Sequence, residues 1–368
     1  MKFSEIPGNE VIKTKLIHTV LDQRVSHAQL FFGPEESDKL ALAIAYAQFI
    51  NCTGRLAPPA EESLFGEADP VPETAVLPSD SCGTCPSCVK YQKLAHPDLH
   101  FVYPVSTTQK VSRKPLSKYF IDDWRAYLLE NNYACTLQGW YDAIGIENKQ
   151  GIINAEDCTE IITTLSYKSY ESDYKVMIIW MAERIFYAAA PKILKILEEP
   201  PEKTLFILIT ESPDQIINTI LSRTLLVKIP ASPNNSGALS GEDALYFPLF
   251  RQWMRDCYAA KVPPLISFTN DISRSGREKQ KSFLAYALRT LGLCSTRNLT
   301  GTTPPGITGE ELEFISKFSA FTHPGNLVQL LALLNEAFTH IERNAHAGIL
   351  FMDLSLKISR QLKPGALP

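Results

Sequence analysis

An apolar run, Ala28-Gln29-Leu30-Phe31-Phe32, leads straight into Gly33-Pro34-Glu35-Glu36-Ser37-Asp38-Lys39-Leu40. A strand, a glycine turn and a helix in that order is the layout of a P-loop, whose pattern is a glycine, four residues, then Gly-Lys-Ser/Thr. Such a unit folds as a parallel sheet covered by helices on both faces. Here only Gly33 and Lys39 fit the pattern. Asp38 stands where the second glycine belongs, and Leu40 stands where a hydroxyl should reach magnesium. A P-loop turns backbone N–H groups onto phosphate oxygens, and glycine permits that close approach. An aspartate there adds negative charge beside a polyanion, and leucine offers no hard oxygen to magnesium.

A second position agrees with the first. Lys175-Val176-Met177-Ile178-Ile179 is an unbroken apolar and β-branched run, which reads as a buried strand. In P-loop ATPases such a strand ends in an acid that holds magnesium. The residues here are Trp180 and Met181. The two departures together predict a nucleotide-binding scaffold whose site no longer binds nucleotide, with no ATP expected as cofactor.

The chain has 368 residues, enough for two or three domains. Its formal net charge of −4 gives no sign of a nucleic-acid binder as a whole. Met1-Lys2-Phe3-Ser4-Glu5-Ile6-Pro7 has no apolar signal core, and no apolar run reaches the length of a bilayer span. The expectation is a cytoplasmic protein with no membrane partner, and its eight cysteines are then thiols or metal ligands rather than disulfides.

Three of those cysteines form a compact knuckle, Cys82-Gly83-Thr84-Cys85-Pro86-Ser87-Cys88. Structural zinc takes four tetrahedral ligands at such spacings. The fourth must come from elsewhere. Cys52 is the first choice because it ends the helical stretch 39–50, and Cys135 and His96 compete with it. An iron–sulfur cluster is the alternative occupant. No open coordination position is indicated, so the metal is expected to be structural.

Along the chain, helices are expected over 9–20, 38–51, 155–168 and 183–198, with strands at 28–32, 99–103, 175–180, 203–210 and 225–229. Ser212-Pro213 supplies an N-cap and a first-turn proline for a helix reaching Leu221. Residues 53–81 are rich in proline and acids and read as loop. Residues 105–150 form an aromatic-rich insertion with Trp124, Tyr127, Tyr133, Trp140 and Tyr141, and its Lys110-Val111-Ser112-Arg113-Lys114 run is basic. That run reads as a solvated loop or as a DNA contact. The boundaries are a core over 1–230 with the knuckle at 52–88, a Pro/Asn/Ser/Gly linker at 231–241, and a helical domain over 242–368. In the last, Leu327–Phe338 presents Leu330, Leu331, Leu333 and Leu334 as a core or subunit-packing face.

Several motifs in order then resemble the δ′ branch of the bacterial DNA polymerase III clamp-loader family. They are Ser26-His27-Ala28-Gln29-Leu30-Phe31 before Gly33-Pro34, the cysteine knuckle, His96-Pro97-Asp98-Leu99, Leu194-Lys195-Ile196-Leu197-Glu198-Glu199-Pro200-Pro201, and Ile220-Leu221-Ser222-Arg223-Thr224. The resemblance covers about 5–230. It implies an AAA+ core followed by an all-helical collar, in a pentamer that loads a ring-shaped sliding clamp on primed DNA. Its γ/τ subunits hydrolyse ATP, and a δ subunit completes the complex. A δ′ subunit is not an enzyme on its own. It offers an arginine in trans to the ATP held by a neighbouring γ subunit. By resemblance that arginine is Arg223 with Ser222, Thr224 replacing the usual cysteine, and Cys52, Cys82, Cys85 and Cys88 are the zinc ligands. The short 231–241 stretch leaves no room for the family's helical lid, so either the lid is absent or the helical tail combines both roles. The competing reading is an active γ-like ATPase with an unusual P-loop.

Overall fold

The computed structural model describes residues 1–35, 37–55, 79–146, 149–232, 243–303, 307 and 309–362. Most of the 53–81 loop and of the 231–241 linker therefore lies outside the described residues. The chain divides into two compact units, Met1–Pro233 and Asn234–Pro368.

In the first unit the elements run α1 (Glu10–Leu21), β1 (Ala28–Phe32), α2 (Lys39–Ile50), α3 (Pro86–Gln92), β2 (Leu99–Val102), α4 (Ile121–Glu130), α5 (Leu137–Ile144), α6 (Ala155–Ser166), β3 (Lys175–Trp180), α7 (Ala190–Glu198), β4 (Thr204–Thr210), α8 (Asn218–Leu221) and β5 (Leu225–Lys228). The five strands form one parallel sheet in the order β2-β3-β4-β1-β5. Parallel neighbours need crossovers, and the helices supply them on both faces.

The alternation of side chains along each strand separates the two faces. Val176, Ile178 and Trp180 of β3, with Leu205, Ile207 and Ile209 of β4, pack in one cluster with α2 and with Trp124 and Trp140. Met177, Ile179, Phe206 and Leu208 point the other way, into a cluster with Ile161 of α6, Ile193 of α7 and Ile220 of α8. β3 and β4 are buried along their whole length, as unbroken apolar strands should be.

Aromatic residues of 105–150 carry the first of these clusters on against β2 and β3. The Tyr103 ring stacks on Trp124 at 4.4 Å, Trp140 meets Trp124 edge-on at 4.9 Å, and Trp124 reaches Trp180 at 5.1 Å. Trp140 Nε1 donates to the Pro104 carbonyl at 2.9 Å, so that indole is both packed and hydrogen-bonded.

Two helix expectations need correction. Residues 183–198 do not form one helix: tight turns at Ala182–Arg184 and Tyr187–Ala189 precede α7. The Ile185–Phe186 stretch between them is extended, because Ile185 bridges to Ile153. Nor does Ser212 start a helix to Leu221. Its side chain caps nothing, the turn at Pro213–Gln215 is short, and Ile216 and Ile217 are extended. Burial of Ile216 under the sheet overrides the local helix signal.

In the second unit the described elements are all helical: α9 (Asp243–Ala259), α10 (Val262–Arg274), α11 (Arg277–Thr300), α12 (Gly309–Phe318), α13 (Pro324–Glu342) and α14 (Ala347–Leu362). Prolines fall in the first turns of α10 and α13, where no intrahelical N–H is sacrificed. Trp253 anchors the core, stacked on Phe268 at 5.0 Å and donating to Ser355 Oγ at 2.8 Å. Leu330 and Leu334 are buried in that core, while Leu331 and Leu333 are only partly covered.

Candidate functional site

Three places in the first unit carry the residues singled out by the sequence. The first is the turn between β1 and α2. A Cβ on Gly33 would stand 1.9 Å from the Ile229 carbonyl oxygen, because the chain after β5 closes onto this turn. Gly33 is thus required by close packing, whether or not a phosphate ever bound there. Lys39 is buried, and its ammonium donates to the carbonyls of Gly33 (3.0 Å) and Pro34 and to Ser37 Oγ (2.9 Å). It is turned onto its own loop.

Asp38 occupies the N-cap position of α2, yet its side chain caps nothing, and Oδ2 is buried without a hydrogen-bond partner among the described residues. Burial raises its carboxyl above the ordinary carboxylate range. Ser232 and the charges of Lys13 and Lys39 offset part of that rise. Leu40 and Trp180 are 4% and 3% exposed and belong to the same apolar cluster. The end of β3 therefore presents an indole packed on Trp124, not an oxygen. An acid just beyond that strand is Glu183, which no sequence pattern marks. Its Oε1 accepts from the Glu211 backbone N–H at 3.2 Å, which ties the ends of β3 and β4 together.

The second place is the cysteine knuckle. Cys52 follows the end of α2, Cys85 caps α3, and Cys88 lies within it. The sulfurs of Cys52, Cys82, Cys85 and Cys88 all lie within 4.8 Å of one another. His96 goes elsewhere, against the Tyr91 ring at 4.6 Å and facing Glu171 at 3.3 Å. Cys135 packs at the edge of the aromatic core.

Backbone N–H groups feed the sulfurs: Cys82 N donates to Cys52 Sγ and Cys85 N to Cys82 Sγ, each at 3.3 Å, and Cys88 N to Cys85 Sγ at 3.4 Å. Such donors favour thiolate over thiol. The Cys52 thiol is pulled down to about 4, chiefly by its hydrogen bond with Cys88, whose own thiol is pushed up as the proton-bearing partner. Cys85 is lowered to about 7: burial opposes the shift, and hydrogen bonds from Thr53 and Cys88 outweigh it. Glycines clear the space around the group. A Cβ on Gly54 would be 2.8 Å from Cys82 Sγ, and Gly83 takes φ +76° beneath Lys2, whose Nζ donates to the Cys82 carbonyl at 3.2 Å. Four convergent sulfurs with amide donors fit a tetrahedral zinc ion.

The third place is the edge of the sheet. Ser222 and Arg223 lie in the turn between α8 and β5, both exposed. Arg223 Nη2 pairs with Glu198 Oε1 at 2.6 Å, and Nη1 donates to the Thr219 carbonyl at 3.0 Å and to Ser222 Oγ at 3.3 Å. Glu198, at the end of α7, belongs to one of the sequence motifs, but its spacing does not reveal this pairing. Beyond Arg223, edge strand β5 leaves Leu225 and Leu226 about half exposed, at 50% and 53%. Among the described residues no helix is long and apolar enough to cross a membrane.

Residues 73–233 match the family described as DNA polymerase III, delta subunit. The chain is 27% identical over 210 residues to "DNA polymerase III subunit delta'" of Bacillus subtilis, covering 57% of this chain and 44% of that protein. It is 25% identical over 225 residues to "DNA polymerase III subunit gamma/tau" of Mycobacterium tuberculosis, covering 60% of this chain and 27% of the other. The chain thus spans less than half the length of these curated relatives. A solved gamma subunit-related protein from Thermotoga maritima aligns over 95% of this chain and 99% of its own, at 12% identity and a TM-score of 0.37, too low to support a comparison of folds. In its first unit, the chain is thus similar to DNA polymerase III subunits of the delta, delta' and gamma/tau kinds.

Proposed function

We propose that this chain is the non-hydrolysing, δ′-type subunit of a DNA polymerase III clamp loader. It works beside γ/τ and δ subunits to place a sliding clamp on primed DNA, and it donates Arg223, held by Ser222, to the ATP of a neighbouring γ/τ subunit. The observation that carries this reading is the shared burial of Leu40 and Trp180, the two positions that would face magnesium in an active site, in one apolar cluster. Magnesium demands oxygen ligands in near-octahedral array. Neither residue supplies one, and Asp38 adds an unfavourable charge beside any phosphate.

Arg223 has the chemistry for work in trans. Its guanidinium is always charged and planar, and it can stabilise charge on a transferring phosphoryl group. Its partner Glu198 is half exposed, and such a surface pair contributes roughly 0–1 kcal/mol. Little stability is given up when the arginine swings from Glu198 to a neighbour's phosphate. Leu225 and Leu226 beside it suit the apolar part of a subunit interface.

Zinc, when bound at Cys52, Cys82, Cys85 and Cys88, supplies structural cross-linking rather than catalysis, since all four ligand positions are taken by protein. The sulfurs themselves tie the end of α2 to the start of α3. The helical second unit is assigned the collar role.

The γ-like reading has in its favour the survival of Gly33 and Lys39. The first is explained by the Ile229 packing and the second by its bonds to the loop. Titration calorimetry of the full chain with magnesium-ATP separates the two. The expected result is no saturation up to about 1 mM, an affinity weaker than about −4 kcal/mol. Micromolar binding would establish the γ-like reading instead.

A further inference from the structure

The basic run of the aromatic-rich insertion is not used by any role above. Residues 105–120 hold Lys110, Arg113, Lys114 and Lys118 and no acidic residue, in a chain whose net charge is −4. Lys149 joins them: its ammonium donates to Thr107 Oγ1 at 2.7 Å and to the Thr107 carbonyl at 3.1 Å. The loop is held in place rather than left to solvent. Thr108 N donates to the Val111 carbonyl at 2.9 Å, Val111 N to Thr108 Oγ1 at 3.2 Å, and Asn154 Nδ2 to the Pro115 carbonyl at 2.7 Å. Ser117 N is fixed by Asp157 at 2.8 Å. Lys114 sits at φ +44°, a left-handed conformation that a lysine keeps only where its surroundings impose it.

Only part of this charge is used internally. Lys110 pairs with Asp123 at 3.1 Å and Lys118 with Glu160 at 3.0 Å. Arg113 and Lys114 are exposed and make no ion pair among the described residues. Interleaved with them are Ser106, Thr107, Thr108 and Ser112, hydroxyl donors of the kind that reach phosphate oxygens. Tyr119 stands 56% exposed, its ring 5.9 Å from Lys118 Nζ.

We propose that the loop 106–119, with Lys149, is a binding site for the phosphate backbone of nucleic acid. Cations and hydroxyls alternating on a fixed loop suit evenly spaced phosphates. An acidic peptide would instead want apolar pockets between the cations, whereas Val111 packs against the core, Pro115 and Leu116 are partly buried, and Phe120 is buried. The net negative charge of the whole chain does not forbid this. At about 0.1 M salt the Debye length is about 10 Å, so distant acids are screened while the loop's own cations still act. Sequence specificity is not expected, because these groups meet the backbone and not base edges. The site stands independently of Arg223 and of the loader assignment.

The test is fluorescence anisotropy of a short labelled DNA duplex titrated with the full chain across a salt series. Wild type should bind weakly, with a Kd of roughly 10⁻⁴–10⁻⁶ M, and each phosphate neutralised should add about 0.9 to the slope of log K against log salt. K110A/R113A/K114A should weaken binding about tenfold or more and flatten the slope by about 0.9 for each phosphate that is no longer neutralised. R113K/K114R, which keeps the charge, should bind like wild type. K261A/R277A/R343A removes the same charge from the second unit and should leave binding unchanged. The proposal is overturned by an absence of binding at low salt, by K110A/R113A/K114A binding like wild type, or by an equal weakening in the second-unit control. Capture of a polyglutamate peptide where duplex fails to bind would reassign the loop to an acidic partner, and so also overturn it.

Discussion

The cysteine knuckle and the β1–α2 turn lie at opposite ends of α2 and are built on different principles. At the knuckle, polar ligands converge: four sulfurs within 4.8 Å, each approach fixed by backbone N–H donors or by a glycine that leaves room. At the turn the corresponding side chains serve the fold instead. Gly33 is kept by packing, Lys39 is bonded to its own loop, and Leu40 and Trp180 are absorbed into the core. Were zinc bound at the knuckle, the loss of one sulfur would leave the other three without a full tetrahedral set. The turn's backbone serves the sheet whatever its side chains bind, as the approach of Ile229 to Gly33 shows.

The contrast can be broken most forcefully at the knuckle. Purified chain should contain about one zinc ion, by elemental analysis. Cys88→Ser should abolish it and destabilise the first unit by several kcal/mol, on the order of 10 °C in its melting temperature. A strong chelator should reproduce the effect in wild type. A zinc-free wild type melting at the same temperature as Cys88→Ser would mean that the four sulfurs are only neighbouring thiols.

At the turn the expected effect is much smaller. Asp38→Gly with Leu40→Thr restores the P-loop pattern on paper, yet Trp180 still fills the end of β3. Calorimetry with magnesium-ATP should show no gain in affinity. Micromolar binding by the double variant would mean that two side chains, and not the aromatic packing behind them, closed the site.

Much of the sheet is readable because its strands are short, unbroken apolar runs bounded by turns, as at 175–180 and 203–210. For Cys52 the sequence leaves Cys135 and His96 as rivals, and it is the structure that brings Cys52 to the other three sulfurs. What cannot be read is long-range. Nothing local says that Trp124 meets Trp180, or that Glu198 of α7 holds Arg223 across the sheet edge. The Ser212-Pro213 helix fails for a related reason: the sequence shows a cap and a proline, but not the pull that buries Ile216 and extends the chain. Glu183 escapes notice because its role is to bond the Glu211 backbone, which no sequence spacing reveals.

In the proposed role this chain lends Arg223 to a neighbour's ATP and binds none of its own. The most direct test is the DNA- and clamp-stimulated ATPase of a reconstituted loader from the same source, with this subunit as wild type or Arg223→Ala. At the one neighbouring site that Arg223 serves, the rate should fall by about 10³ or more, as for removal of an arginine finger. The total rate should drop by at least that site's share while the complex stays assembled. An unchanged rate in an intact complex would contradict the claim and leave the chain a scaffold alone.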